Sequence, residues 1–140
     1  MIDFDKLNKD NHEIAEYTRV LAHLITKRLI CDNGITCKLF YDFFSKVDNH
    51  INSGDRLLYA DLLKGDQYSK NMANNFMSGG VEINRLVNAY TGSWCNVKQK
   101  TLKIFDHDKF IKESNELFDI ILSRIKDEQE KLYPLLRKSK

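Results

Sequence analysis

Arg124 and Glu128 stand four residues apart in the stretch Arg124-Ile125-Lys126-Asp127-Glu128. A helix would set the guanidinium and the carboxylate one turn apart on the same side. Phe110, Leu117, Phe118, Ile121, Ile125, Leu132 and Leu136 recur around them with the three-then-four spacing of one buried helix face. The charged pair falls on or beside that face. A carboxylate turned into a helix-packed core is costly unless something pairs with it. The partner can be a cation, a hydrogen-bond donor or a metal ion. Other residues of the chain qualify for the same layer. His50 and Gly54 interrupt an otherwise large and apolar stripe, and Asp55 follows. Gly79-Gly80 lie on a third apolar face, and Asn11 on a fourth.

These residues need four long helices to position them. The first starts near Asp10, a suitable N-cap. It carries Ile14, Tyr17, Leu21, Leu24 and Ile25 inward as far as about Leu29, before the turn signal Asp32-Asn33-Gly34. The second runs from about Ile35 to Leu63 and ends at Lys64-Gly65-Asp66, with Gly65 as a left-handed cap. The third spans about Gln67 to Val97, with Tyr68, Met72, Phe76, Ile83, Leu86, Val87, Tyr90 and Trp94 on one face. A basic linker from Lys98 to Lys103 leads to Asp106, the cap of the last helix, which extends from about Phe105 to Leu136. Four amphipathic helices with short connections predict an all-α, antiparallel up-down-up-down four-helix bundle, with residues 1–140 as a single domain. At about 1.5 Å per residue, Asn11, His50, Gly80 and Arg124 come to similar heights in such a bundle. One cross-section then contains Asn11, His50, Gly54, Gly80, Arg124 and Glu128.

The composition narrows the function classes. The chain is 42% hydrophobic and 30% charged, with a net charge of +2, which points to neither nucleic acid nor a membrane surface. No apolar run approaches the roughly 20 residues of a membrane span. The start, Met1-Ile2-Asp3-Phe4-Asp5, is unlike a signal peptide. Three cysteines are an odd count, which predicts free thiols in a reducing compartment, hence a cytoplasmic protein. No phosphate loop, zinc-hydrolase helix or nucleophile beside a base is present, so no enzyme activity is expected.

With the layer in place, the chain resembles the hemerythrin-like (HHE cation-binding) family over nearly its whole length. The resemblance is carried by Asp10–Leu24 (DNHEIAEYTRVLAHL), His50–Leu58 (HINSGDRLL) and Arg124–Pro134 (RIKDEQEKLYP). It implies a four-helix bundle with a non-haem di-iron centre held by histidines and carboxylates from all four helices. The family pattern has Asp-His opening helix 1, His-x-x-x-Glu on helix 2, a histidine on helix 3, and His-x-x-x-Glu before Leu-Tyr/Phe-Pro on helix 4. His50 and Glu128 match it. Asn11, Gly54, Gly80 (or Gly79) and Arg124 stand where ligands would be. His12 is no replacement for the first, because helical phase turns it away from the direction set by Ile14, Leu21 and Ile25.

Three readings follow. In the first, Arg124 fills the former metal volume, Gly54 and Gly80 make room, and the cation pairs with Glu128 while His50 joins by hydrogen bond. In the second, Arg124 leans outward, Glu128 pairs with Lys131 at the surface, and His50 is a satisfied core histidine. In the third, a reduced set of His50, Asp55 and Glu128, with His12, retains non-haem iron. A separate candidate is the thiol end, where Cys31, Cys37, Cys95 and His107 share the residue types of a tetrahedral zinc site but lack a CxxC pair. The leading expectation is a small binding or regulatory module with a degenerate site and no cofactor. Its partner would be a protein or small molecule. The alternative is a non-haem iron protein that binds or senses oxygen, nitric oxide or iron.

Overall fold

The computed structural model describes the backbone of residues 2–52 and 55–139, and their side chains except those of 55–57. About four long helices pack together, with a small hairpin. The elements are α1 (Phe4–Leu24), α2 (Gly34–Asn52), α3 (Asp55–Leu63), α4 (Gln67–Trp94), β1 (Cys95–Asn96), β2 (Thr101–Leu102), α5 (His107–Asp127) and α6 (Tyr133–Lys138). A π-helical turn, Glu128–Leu132, joins α5 to α6. Helix α1 packs on α2 and α5, α4 packs on α5 and α2, and α3 packs on α4 and α6.

Local chemistry sets the boundaries. The first helix begins about two turns earlier than the sequence suggests. Asp3 is its cap, accepting from the Lys6 amide, while Asp10 is an interior residue paired with Lys6 at 3.1 Å. It stops at Leu24, and Leu29 in the following connection is exposed. Asp66 and Asp106 cap α4 and α5 by accepting from the Ser69 and Lys109 amides. Gly65 is not left-handed. The turn there closes with i→i+3 bonds from the Lys64 and Gly65 amides to Asp61 and Leu62, and the Asp66 cap starts the next helix at once. The stretch expected to be a basic linker is a short antiparallel hairpin, pairing Cys95 with Leu102 and Asn96 with Thr101. Lys100, at φ 55°, supplies its left-handed turn residue.

Two hydrophobic clusters fill the interior. The larger one gathers Phe40, Phe43, Tyr90, Trp94, Phe110 and Phe118 with aliphatic residues as far as Ile14, Ile51, Ile83 and Ile125. The smaller one holds Tyr59, Leu62, Phe76, Leu132, Tyr133 and Leu136. The gap between them is the polar layer. In sequence, Asn11 precedes Ile14, Gly80 separates Phe76 from Ile83, and Glu128 separates Ile125 from Leu132.

Phe40 is the hub of the larger cluster. Its ring is fully buried and lies 5.9–6.3 Å from the rings of Phe44, Tyr90, Phe110 and Phe118. Phe40→Ala is therefore expected to lower unfolding free energy by about 3–5 kcal/mol. The check is a shift in urea midpoint with an unchanged slope. A loss below 1 kcal/mol would show that the aromatic cluster is not the main stabilising core.

Candidate functional site: a buried arginine–carboxylate layer

Helix α5 carries Arg124 in its last turn and hands Glu128 to the π turn. That turn has a sequence cause. Pro134 has no N–H to give to the carbonyl four residues back, and its ring crowds that carbonyl, so the ladder is reset by one residue. The Tyr133 amide accordingly donates to the Glu128 carbonyl, five residues back. The extra residue swings Tyr133 inward, where its hydroxyl lies 3.4 Å from Glu128 Oε1.

Glu128 is 3% exposed, and its carboxylate faces three donors. Arg124 Nε donates to Oε2 at 3.1 Å. His50 Nε2 lies 2.8 Å from Oε1; an ionised carboxylate only accepts, so Nε2 carries the proton. The longer contact from the Tyr133 hydroxyl completes the set. That hydroxyl also accepts from Asn11 Nδ2 at 3.0 Å. Burial, and next the neighbouring Glu128 carboxylate, push the Tyr133 phenol well above its ordinary range. Two buried atoms in the layer, Asn11 Oδ1 and His50 Nδ1, have no hydrogen-bond partner among the described residues.

Arg124 does not lean outward, and its side chain is only 10% exposed. Besides Glu128, it donates from Nη1 to the Phe76 carbonyl at 2.6 Å and from Nη2 to the Tyr59 hydroxyl at 3.3 Å. Its guanidinium carbon lies 5.0 Å from the centre of the Phe76 ring. Gly79 and Gly80 of α4 make this possible. A Cβ on Gly79 would sit 3.1 Å from Nη1; one on Gly80 would sit 3.2 Å from Ile51 Cγ2 and 3.7 Å from Nη2. Helix α4 stays unbroken through them, so the glycines serve close approach and do not mark a break. Lys131, the surface partner considered for Glu128, pairs instead with Asp127 at 3.5 Å.

The structure thus brings together Asn11, His50, Gly80, Arg124 and Glu128. Gly54 lies outside the described residues, as does the side chain of Asp55. His12 is exposed, as its helical phase predicts. Sequence reasoning missed Tyr59, Tyr133 and the Phe76 carbonyl. The two tyrosines carried a usable signal, since a phenol on a buried helix face needs a hydrogen-bond partner.

A metal ion fits this donor set poorly. Among the described residues no group of three or more His, Cys, Asp or Glu side chains is placed to hold one. One carboxylate and one imidazole are also fewer than bundle metal sites use, and the guanidinium bonded to that carboxylate would repel a cation. The thiol end is not a metal cluster either. Cys31 and Cys37 turn to the carbonyls of Arg28 and Asp32, at 3.3 and 3.4 Å, and the His107 ring lies 2.8 Å from the Ile25 carbonyl. All three cysteines are free and buried.

Burial pushes the Cys95 thiol up to about 11. Between its unfolded value of 9.0 and 11 the folded state binds more protons. Its contribution to stability is therefore intact below pH 9 and declines as pH rises through that window. Cys95→Ser should flatten the alkaline fall of stability measured by urea titration; an unchanged slope would assign the fall to other groups.

Removing one partner of the buried pair leaves the other charge uncompensated. Arg124→Met is expected to cost about 3–5 kcal/mol, and Arg124→Met with Glu128→Met less than the sum of the two single losses. Chemical denaturation of the four proteins gives the coupling directly, and strict additivity would dissolve the pair. No protein-family profile, characterised protein or solved structure matches this chain.

Proposed function

We propose that the chain is a hemerythrin-like module, an antiparallel up-down-up-down four-helix bundle whose di-iron position is taken by an internal cation. In this reading Arg124 replaces the metal's positive charge, Glu128 is the surviving carboxylate, and His50 is the surviving histidine. The protein binds or regulates without a resident metal and without catalysing a reaction. The observation that carries the reading is the guanidinium itself, one-tenth exposed and bonded to Glu128, Tyr59 and Phe76. Among those contacts, the one to Glu128 meets a buried carboxylate with a charge-assisted hydrogen bond, the work a metal would otherwise do. The contacts also fill the space against Gly79 and Gly80. The resemblance of Asp10–Leu24, His50–Leu58 and Arg124–Pro134 to the family supports the assignment of register.

Metal analysis after expression in iron-supplemented medium tests it. Iron should remain far below one ion per chain, with no oxo-bridge absorption band. Near-stoichiometric iron, or such a band, would defeat the reading. The inherited geometry has its own check. Arg124→His combined with Gly54→Glu restores two family ligands and should raise affinity for ferrous iron. No gain in a well-folded variant would show the helix register to be wrong.

A further inference from the structure

Helices α4 and α5 leave a groove of about 520 Å³ between them on the side from which Arg124 is reached. Its walls include Met72, Phe76, Ile83 and Ile120, and Gly79 and Arg124 also line it. The volume lies within the range of small-molecule sites, and Asn75, Glu82, Ser123, Asp127 and Lys131 complete the lining with polar and charged side chains.

The polar group has unused capacity. A guanidinium presents five N–H donors. Three of them are taken by Glu128, the Phe76 carbonyl and the Tyr59 hydroxyl. One N–H on each Nη has no acceptor among the described residues. Gly79 keeps this edge within reach of the groove. A Cβ there would stand 3.1 Å from Nη1, so any other residue would begin to cover it. A glycine that costs a helix about 1 kcal/mol relative to alanine is thereby accounted for by access as well as by packing.

Charge decides what would bind. Glu128 already balances Arg124. On the rim, Asp127 pairs with Lys131 and Glu82 with Arg85. Among the described residues lining the groove no positive charge is left over, and a carboxylate ligand would enter among Glu82, Asp127 and Glu128. A neutral acceptor meets no such repulsion and still uses the free N–H groups. We infer that the groove binds an uncharged small molecule with an aromatic or aliphatic body and a carbonyl-type oxygen, the oxygen accepting from Arg124. This rests on the reading of the chain as a metal-free binding module and names the ligand class of that module.

The experiment is a ¹H–¹⁵N NMR titration of protein of measured iron content with acetanilide (neutral, carbonyl-bearing) and with phenylacetate as its anionic counterpart. Acetanilide should shift the Gly79 and Ile120 amides and the Arg124 Nε–H, with phenylacetate binding about tenfold more weakly or worse. Ile120→Glu, at a 40% exposed position, should abolish the shifts without unfolding the chain. Gly79→Val should do so by covering Nη1. If Gly79→Val fails to fold, the Ile120 variant still decides. No shift at millimolar acetanilide, shifts confined to other surfaces, shifts that survive Ile120→Glu, or equal binding of phenylacetate would each overturn the proposal. Stoichiometric iron in the same sample would instead overturn the metal-free reading, whatever the titration shows.

Discussion

A guanidinium and a carboxylate taken together out of water lose hydration that their mutual attraction does not automatically replace. Arg124 and Glu128 are held in that condition, and much of the local architecture follows from it. The remaining lone pairs and N–H groups need partners, and the chain supplies them from every long helix. Asn11 comes from α1 by way of Tyr133, His50 from α2, and the Phe76 carbonyl from α4. Tyr59 is contributed by α3. Two glycines let α4 approach closely enough for this, and a π turn reorients Tyr133. The most irregular backbone of the last helix and the adjacent glycines Gly79-Gly80 of α4 thus flank the same charge pair.

The layer also lies where it does least damage to the core. On one side stands the larger cluster, crowded with aromatic rings; on the other stands the smaller one around Tyr59, Leu62 and Leu136. The charges between them sit in a low-dielectric setting, which strengthens the contacts that are made and penalises those that are not. Asn11 Oδ1 and His50 Nδ1 are the two places where the accounting among described residues stays open.

Much of this was legible in the sequence because helical periodicity is a strong signal. The apolar repeats of α2, α4 and α5 place Phe40, Val47, Ile83, Tyr90, Phe118 and Ile125 inward, and all are buried. Phase alone separated Asn11, buried, from its neighbour His12, exposed. The cap at Asp106 was readable, whereas at Lys64-Gly65-Asp66 the glycine drew the reading and the Asp66 cap went unseen. At the first helix Asp10 concealed Asp3. The hairpin at Cys95–Leu102 was hidden because four strand residues show no alternation to detect. Tyr68 shares the spacing of its helix face yet lies 63% exposed, one residue into α4 and before that face meets a neighbour. The Phe76 carbonyl was out of reach, since no sequence pattern marks a helical carbonyl that accepts a side-chain bond in addition to its place in the helix.

An arginine can stand in for a metal ion in charge but not in coordination. A metal gathers lone pairs and so demands several acceptors around one point. A guanidinium offers donors along a planar edge, so it demands acceptors spread over one plane. The surroundings of Arg124 are of the second kind: a carboxylate oxygen, a main-chain carbonyl and a phenol oxygen, with an aromatic ring 5.0 Å away. Building a metal site at this position would therefore take more than deleting the arginine, because its partners belong to a different geometry. The same difference gives the layer a capability that a closed metal site lacks. A fixed cation whose charge is balanced from one side, and whose N–H groups are not all paired among the described residues, keeps donors that a metal ion does not have.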